Sequence, residues 1–293
     1  MKKRIYTLAL GAILLAGCSQ EEHLTVGEEV KMTFTATMPE GGQSRSEAST
    51  VCVDKMICAV YTSDGSTELI KETVEVTQGK ATFSPTLMKG ETYDFVFWAY
   101  RSNGTDSDKN ECYDMTEFPV IKFVPQDECN SELLEAYTVA YNDIVIVGNT
   151  IDVTLKRPLA QINLIEKVSS WEQSGNDIPC KSIMTIKGCH NRYNALTGQY
   201  EKRENEKTEF SFSYTPSIDN LLITNQDGTS YFALASGYAL GDNTVECEIK
   251  LLDKEETVLY TFSILDIPIE TNHRTNIYSN LLSDITSYSV DGI

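Results

Sequence analysis

The sequence predicts an all-β protein built as two tandem β-sandwiches, and three observations lead there. Short apolar-rich runs alternate with polar positions, the period of strands with one covered face. Gly, Asn and Asp punctuate those runs at turn positions, while Tyr (15) and Phe (10) supply rings that suit pleated surfaces. The length of 293 residues fits about two domains of roughly 100–150 residues each. A hydrophobic share of 41% is close to the ordinary globular value, which excludes wholesale disorder.

Residues 1–17 precede the fold. Met1-Lys2-Lys3-Arg4 is a basic start, Ile5 to Ala16 is apolar but too short to span a bilayer comfortably, and the stretch ends Leu15-Ala16-Gly17-Cys18. Small residues before a Cys resemble the bacterial lipobox. That resemblance implies cleavage before Cys18, a diacylglycerol thioether on its sulfur and an acyl chain on its amine. The competing reading is an ordinary secretory signal with a chance Cys. Each buried CH₂ contributes about 0.8 kcal/mol, and a triacylated Cys exceeds the two chains that stable anchoring needs. Residues 18–25, which include Ser19-Gln20-Glu21-Glu22, form a polar tether whose acidic run looks like a surface-export signal of Bacteroidales lipoproteins. Loss of Lys2, Lys3 and Arg4 leaves 21 basic against 43 acidic residues, a net charge of −22. An anionic membrane repels such a body, so the lipid must hold it. The same balance speaks against nucleic acid as a partner.

The first sandwich is expected over residues 26–157. Val30–Thr37 alternates as a strand, and Pro39 to Glu47 breaks it as a Gly/Ser-rich loop holding Arg45. Val51–Tyr61 is a second strand, ended by the turn pair Asp64-Gly65. Thr73–Val76 and Lys80–Phe83 flank Gln78-Gly79 as a hairpin. Thr92–Tyr100 carries aromatic residues on both faces, as a sandwich-core strand does. Val120–Val124 and Ile151–Leu155 are further strands. Glu132–Tyr141 is the best helical stretch, with Leu133, Leu134, Tyr137 and Tyr141 on roughly one face. Pro158 interrupts the ladder, which places the domain boundary at Arg157-Pro158.

The second sandwich, residues 158–293, is expected to use Ala160–Ile165, Ser182–Ile186, Glu209–Phe212, Ser230–Leu234, Thr244–Leu252, Thr257–Ile264 and Thr275–Leu282. Glu201 to Lys207 reads as a solvated hairpin tip of mixed charge. Little chain follows the last expected strand, and the tail Ser287–Ile293 is a weakly apolar donor-strand candidate.

Chemistry is sparse. The sequence lacks a nucleophile elbow, a P-loop, an H-E-x-x-H pair and a dinucleotide fingerprint, so no catalytic residue and no cofactor are assigned. Beyond Cys18, seven cysteines remain: Cys52, Cys58, Cys112, Cys129, Cys180, Cys189 and Cys247. Their odd number leaves at least one unpaired or intermolecular, and the pairing stays open. Cys52 and Cys58 share one expected strand, about 20 Å apart and outside disulfide reach. Asp106, Asp108, Asn110, Asp114 and Glu117 fall at positions 1, 3, 5, 9 and 12 of a calcium loop. Glu111 stands where that loop needs Gly, and the competing reading is an acidic surface loop. His190 beside Cys189 could ligate a metal or be a satisfied structural residue. Trp98 reads as core, and Trp171, in an apparent polar loop, is the better candidate for stacking on a sugar.

Several segments occur in a familiar order: the lipobox, Phe34-Thr35-Ala36-Thr37-Met38-Pro39, Ser44-Arg45-Ser46 and the Phe95–Ala99 strand. They are followed by Leu155–Leu164, Tyr193-Asn194-Ala195-Leu196-Thr197-Gly198 and Ile267–Tyr278. This order resembles the Bacteroidales fimbrillin-like lipoproteins, including minor-fimbria and related adhesin groups. The resemblance implies two transthyretin-like β-sandwich domains and a non-catalytic surface subunit anchored in the outer membrane through acylated Cys18. It further implies cleavage by an Arg-specific protease, here at Arg45, and assembly with other fimbrial subunits by β-strand addition. A host or bacterial glycan or protein is the implied adhesion ligand. The alternative is a glycan-binding outer-membrane lipoprotein of a carbohydrate-uptake system, which an exposed aromatic platform would favour.

Overall fold

The computed structural model describes residues 27–38, 53–102, 112–126, 133–174, 178–280 and 283–292. In chain order the first eleven strands are β1 (Glu29–Lys31), β2 (Thr33–Thr37), β3 (Lys55–Thr62), β4 (Glu68–Glu75), β5 (Lys80–Phe83), β6 (Thr86–Met88), β7 (Thr92–Tyr100), β8 (Tyr113–Glu117), β9 (Val120–Phe123), β10 (Ala136–Val145) and β11 (Thr150–Thr154). There follow β12 (Leu159–Lys167), the helix α1 (Val168–Ser174), β13 (Lys181–Lys187), β14 (Arg192–Asn194), β15 (Gln199–Glu201), β16 (Glu209–Tyr214), β17 (Leu221–Thr224), β18 (Ser230–Leu240), β19 (Thr244–Leu252), β20 (Val258–Pro268), β21 (His273–Asn280) and β22 (Ser283–Gly292). The all-β expectation holds.

The central layer of the first half is the sheet β10-β7-β3-β4. Its two middle strands are apolar throughout because both faces are covered. On β7, Phe95, Phe97 and Ala99 enter one core cluster, while Val96, Trp98 and Tyr100 enter another. On β3, Met56, Cys58 and Val60 face the first cluster and Ile57, Ala59 and Tyr61 the second. The sheet β11-β2-β5 closes the first face. The second cluster runs on through Tyr113, Phe123 and Tyr193 into the other half of the chain, where it fills the space between the sheets β17-β18-β12-β21-β22 and β16-β13-β19-β20. Gly237 of β18 is required there: a Cβ would stand 2.8 Å from Met184 Sδ and 3.0 Å from Ile186 Cδ1 and Phe212 Cδ2.

Arg157-Pro158 lies between β11 and β12, yet the two sides share a sheet. The order β15-β14-β9-β8 joins Val120–Phe123 to Arg192–Asn194, with Tyr193 opposite Ile121.

Several sequence expectations are corrected. Of the expected helix Glu132–Tyr141, Glu132 lies outside the described residues, Leu133 and Leu134 form a turn, and Ala136–Tyr141 belong to β10. Ala136 and Tyr137 point into different clusters, the period of a strand, and β7 offers a full ladder with Thr138 opposite Trp98. Short apolar runs satisfy either period, and a waiting strand edge decides between them. Val30–Thr37 is broken at Met32, whose N–H donates to Pro85 O at 2.8 Å, so β1 pairs with β6 while β2 joins another sheet. Gln78 and Gly79 do form a tight turn, with φ of 52° and 71°, but only Thr77 and Lys80 pair across it. β4 and β5 then diverge into different sheets, making a corner rather than a hairpin. The tail is no loose end: β22 pairs antiparallel with β21.

Candidate functional site: the seat of β2

β2 lies between β11, which runs parallel to it, and β5, which runs antiparallel. The threonines of Thr33-Phe34-Thr35-Ala36-Thr37 point outward, and Phe34 and Ala36 are fully buried. The Phe34 ring centre lies 4.6 Å from Phe95, 5.6 Å from Phe97 and 5.9 Å from Phe83. Val153 of β11 and Ala81 of β5 complete the bed. Backbone bonds fasten both ends: Met32 N–H to Pro85 O, and Met38 N–H to Gly79 O at 2.9 Å. β2 is therefore a plug. Without it, β11 and β5 would each present an unpaired edge above an aromatic trough, and such a trough binds an extended apolar strand.

A half-buried latch holds the linker between the halves. One guanidinium nitrogen of Arg157, Nη2, donates to both Glu135 carboxylate oxygens, at 3.0 and 2.9 Å, and to Tyr137 Oη at 3.1 Å. Burial pushes the Tyr137 phenol up to about 12. Asn272 Oδ1 accepts from Arg157 N–H, and Asn272 N–H donates to Leu159 O. Tyr200 Oη reaches Thr271 Oγ1 at 2.8 Å. β12 and β21 run parallel here, with Asn163 Nδ2 donating to Asn276 Oδ1 at 3.0 Å. Two of the motifs that carried the family resemblance, Leu155–Leu164 and Ile267–Tyr278, are thus one packed unit. A third, Tyr193–Gly198, is the β14–β15 turn, in which Asn194 Oδ1 accepts from the Leu196 and Thr197 amides.

The expected site residues are placed as follows. Cys18 and Arg45 lie outside the described residues, as do Asp106, Asp108, Asn110, Cys52 and Cys129. Asp114 and Glu117 sit on β8. Asp114 Oδ1 accepts from Thr116 N–H and Oγ1, and Glu117 accepts from Lys122 at 2.5 Å and Arg192 at 3.1 Å. Those two cations hold the Glu117 carboxyl below its usual range, Lys122 foremost. Cys58, Cys189 and Cys247 are buried free thiols and Cys180 is an exposed one. Burial raises the first three, Cys189 to about 12. His190 packs its ring 5.9 Å from Tyr200, and Cys189 turns into the core, where its thiol meets Ile186 O at 3.8 Å. Among the described residues no group of three or more His, Cys, Asp or Glu converges as metal ligands do.

One reading is overturned. Trp171 is buried on α1, edge-on to Phe232 at 6.0 Å, because the polar stretch winds into a short helix that turns its ring inward. The Glu201–Lys207 run is solvent-exposed except at the half-buried Glu206, and it also makes specific contacts. Glu206 clamps the Arg192 guanidinium, and Asn191 Nδ2 donates to the carbonyls of Arg203 and Lys207.

An open polar depression of about 470 Å³ lies beside this turn, lined by Lys187, His190, Lys202, Asn243, Glu246 and Asp266 among others. No Phe, Tyr or Trp is among its lining residues. Among the described residues up to Ser279, every Phe, Tyr and Trp is buried or half-buried, and no helix of the described residues is long and apolar enough to cross a membrane.

Solved structures share the fold at low identity. The tip fimbrial protein Mfa3 from Porphyromonas gingivalis, truncated at its C-terminus, superposes with a TM-score of 0.50 at 13% identity, covering 91% of this chain and all of that one. A candidate cell adhesion protein from Bacteroides uniformis gives 0.49 at 11% identity, over 90% and 97% of the two chains. Another from Parabacteroides distasonis gives 0.48 at 13%, over 90% and 98%. The chain thus shares the fold of that tip fimbrial protein. No functionally curated protein matches the sequence. The model of a family of unknown function, DUF6562, matches residues 23–292, and the chain belongs to that family.

Proposed function

We propose that the chain is a surface-anchored fimbrial subunit or fimbrillin-like adhesin, non-catalytic, that joins neighbouring subunits by strand exchange at the β2 seat. The observation that carries this reading is the seating of β2: one short segment, ladder-bonded on both sides, plugs an aromatic trough that is otherwise complete. Acyl chains on Cys18 hold the precursor at the outer membrane. Cleavage after Arg45 then severs residues 18–45, with β1 and β2, from the body. An empty trough exposes Phe83, Phe95 and Phe97, and an incoming strand re-covers them while restoring both ladders. The halves on either side of Arg157-Pro158 act as one stiff body through the shared sheet and the Arg157–Glu135 latch.

The test is treatment of the purified, lipid-free chain with an Arg-specific protease. A new N-terminus at Ser46, followed by detergent-resistant ladders on unheated gels, is expected. Arg192 and Arg274 are buried, the half-buried Arg157 is held by Glu135, and the exposed Arg203 has its backbone pinned by Asn191, so these sites resist. A chain cut after Arg45 that stays monomeric, with the cut segment still bound, refutes strand exchange.

A further inference from the structure

Away from the β2 seat, the sheet β16-β13-β19-β20 ends on β20, an eleven-residue strand that among the described residues is hydrogen-bonded on one side only, to β19. Some other edges are guarded: β4 carries Glu68, Lys71, Glu72 and Glu75, and β17 is only four residues long. The first eight residues of β20 have no such defence: Val258-Leu259-Tyr260-Thr261-Phe262-Ser263-Ile264-Leu265 holds no charge, Pro or Gly, and Asp266 and Pro268 stand only at the far end. Val258, Leu259 and Leu265 are exposed, the last at 63%. On the other face Tyr260, Phe262 and Ile264 are half-buried against the core, the two rings stacked at 6.4 Å. The sandwich is open along this side, and an added strand would finish covering that row.

The register tells how long a guest fits. From Tyr260 to Ile264 the pairing with β19 is continuous, and irregularities at Leu259 and at Leu265-Asp266 bound it. Charge tells which guest. Glu255 and Glu256 precede the strip and Asp266 follows it. Lys254 and Lys181 pair with the two glutamates only at 3.5 and 3.6 Å, on a surface where such pairs are weak. Antiparallel pairing of two copies over Val258–Leu265 would set the glutamates of each beside Asp266 of the other at both ends, on chains already at −19. Like charges facing across strands are destabilising, so a second copy is disfavoured.

We propose that the free edge of β20 is a docking strip for an extended segment of another protein, about five to seven residues long, apolar on alternate positions and basic at its ends. The guest adds a fifth strand, lays its apolar side chains over Tyr260, Phe262 and Ile264, and sets its cations against the flanking carboxylates.

The probe is a fluorescent peptide of alternating Val and Thr with two Lys at each end, titrated into the full chain by anisotropy. Two counterparts accompany it, one with Glu at the ends and one N-methylated at alternate backbone nitrogens. Saturable binding of the Lys form is expected, weaker by about tenfold or more for the Glu form. The N-methylated form should not bind, since it cannot complete the ladder. Amide-exchange protection on peptide addition should be confined to Val258–Leu265. Equal binding of all three peptides, protection elsewhere, or no binding up to about 1 mM overturns the assignment. So does a dimer in sedimentation that Leu265→Lys dissolves. None of these results depends on whether β2 exchanges.

Discussion

Phe34→Ala is the perturbation that most directly probes the β2 seat. The side chain is fully buried and touches three rings. Truncating a core Phe costs about 3–5 kcal/mol, combining lost transfer energy with a residual cavity. The aromatic pairs carry about 0.5–1.5 kcal/mol each beyond area, and the cavity floor is formed by Phe83, Phe95 and Phe97, stiff side chains that relax little. The expected loss therefore lies in the upper part of that range, about 4 kcal/mol, a large share of an ordinary total of about 5–15 kcal/mol. Urea unfolding followed by circular dichroism measures it as a lower midpoint at unchanged slope. Thr35→Ala, one residue on and facing outward, is the control and should change stability by less than about 0.5 kcal/mol. If strand exchange is the function, Phe34→Ala should also speed uptake of a labelled peptide spanning Val30–Met38 after the Arg45 cut, because the resident plug holds less tightly. A loss below about 1 kcal/mol would show that β2 is laid over the trough and not seated in it, and the argument for a plug would fail.

Three further outcomes are expected. Arg157→Ala leaves the Glu135 carboxylate largely buried without its cation and should cost about 3 kcal/mol, whereas the apolar pair Arg157→Met with Glu135→Leu should recover most of that loss; paired melts decide. The carboxyls of Glu117 and Glu206 are depressed in the fold by Lys122 and Arg192. Their contribution is thus present above the unfolded value of about 4.3 and is lost as pH falls through the folded one. Melting temperature should drop on acidification below about pH 4, and Arg192→Ala should flatten that drop. A thiol reagent applied to the native chain should modify Cys180 and spare Cys58, Cys189 and Cys247, as site-resolved mass spectrometry would show, because burial keeps those three protonated and covered.

Periodicity revealed most strands because it follows directly from which face is covered. Lys181–Lys187 alternates half-buried and buried without exception, and Ser182–Ile186 was legible for that reason. β3 and β7 were legible too, as continuous apolar runs, although the sequence did not say what covered their second face. The short pieces β6, β8, β14, β15 and β17 escaped because three to five residues carry too little period. Trp171 misled because its neighbours are polar, while its own burial depends on Phe232, sixty-one positions away. Gln78-Gly79 announced a turn correctly, but turn chemistry fixes only the local reversal and not which sheet receives the next strand.

The sequence by itself determined the all-β class, the strands with clear alternation and the acidic balance of charge. Those properties reside in adjacent residues or in sums over the chain. Only the tertiary structure decided that Ala136–Tyr141 extends as part of β10, that β2 plugs a trough, that Arg157 latches onto Glu135 and that β20 ends its sheet bare. Each of those depends on which distant segment supplies the missing hydrogen-bond partner or covering side chain, and pairing between remote strands is set by the packing of the whole chain.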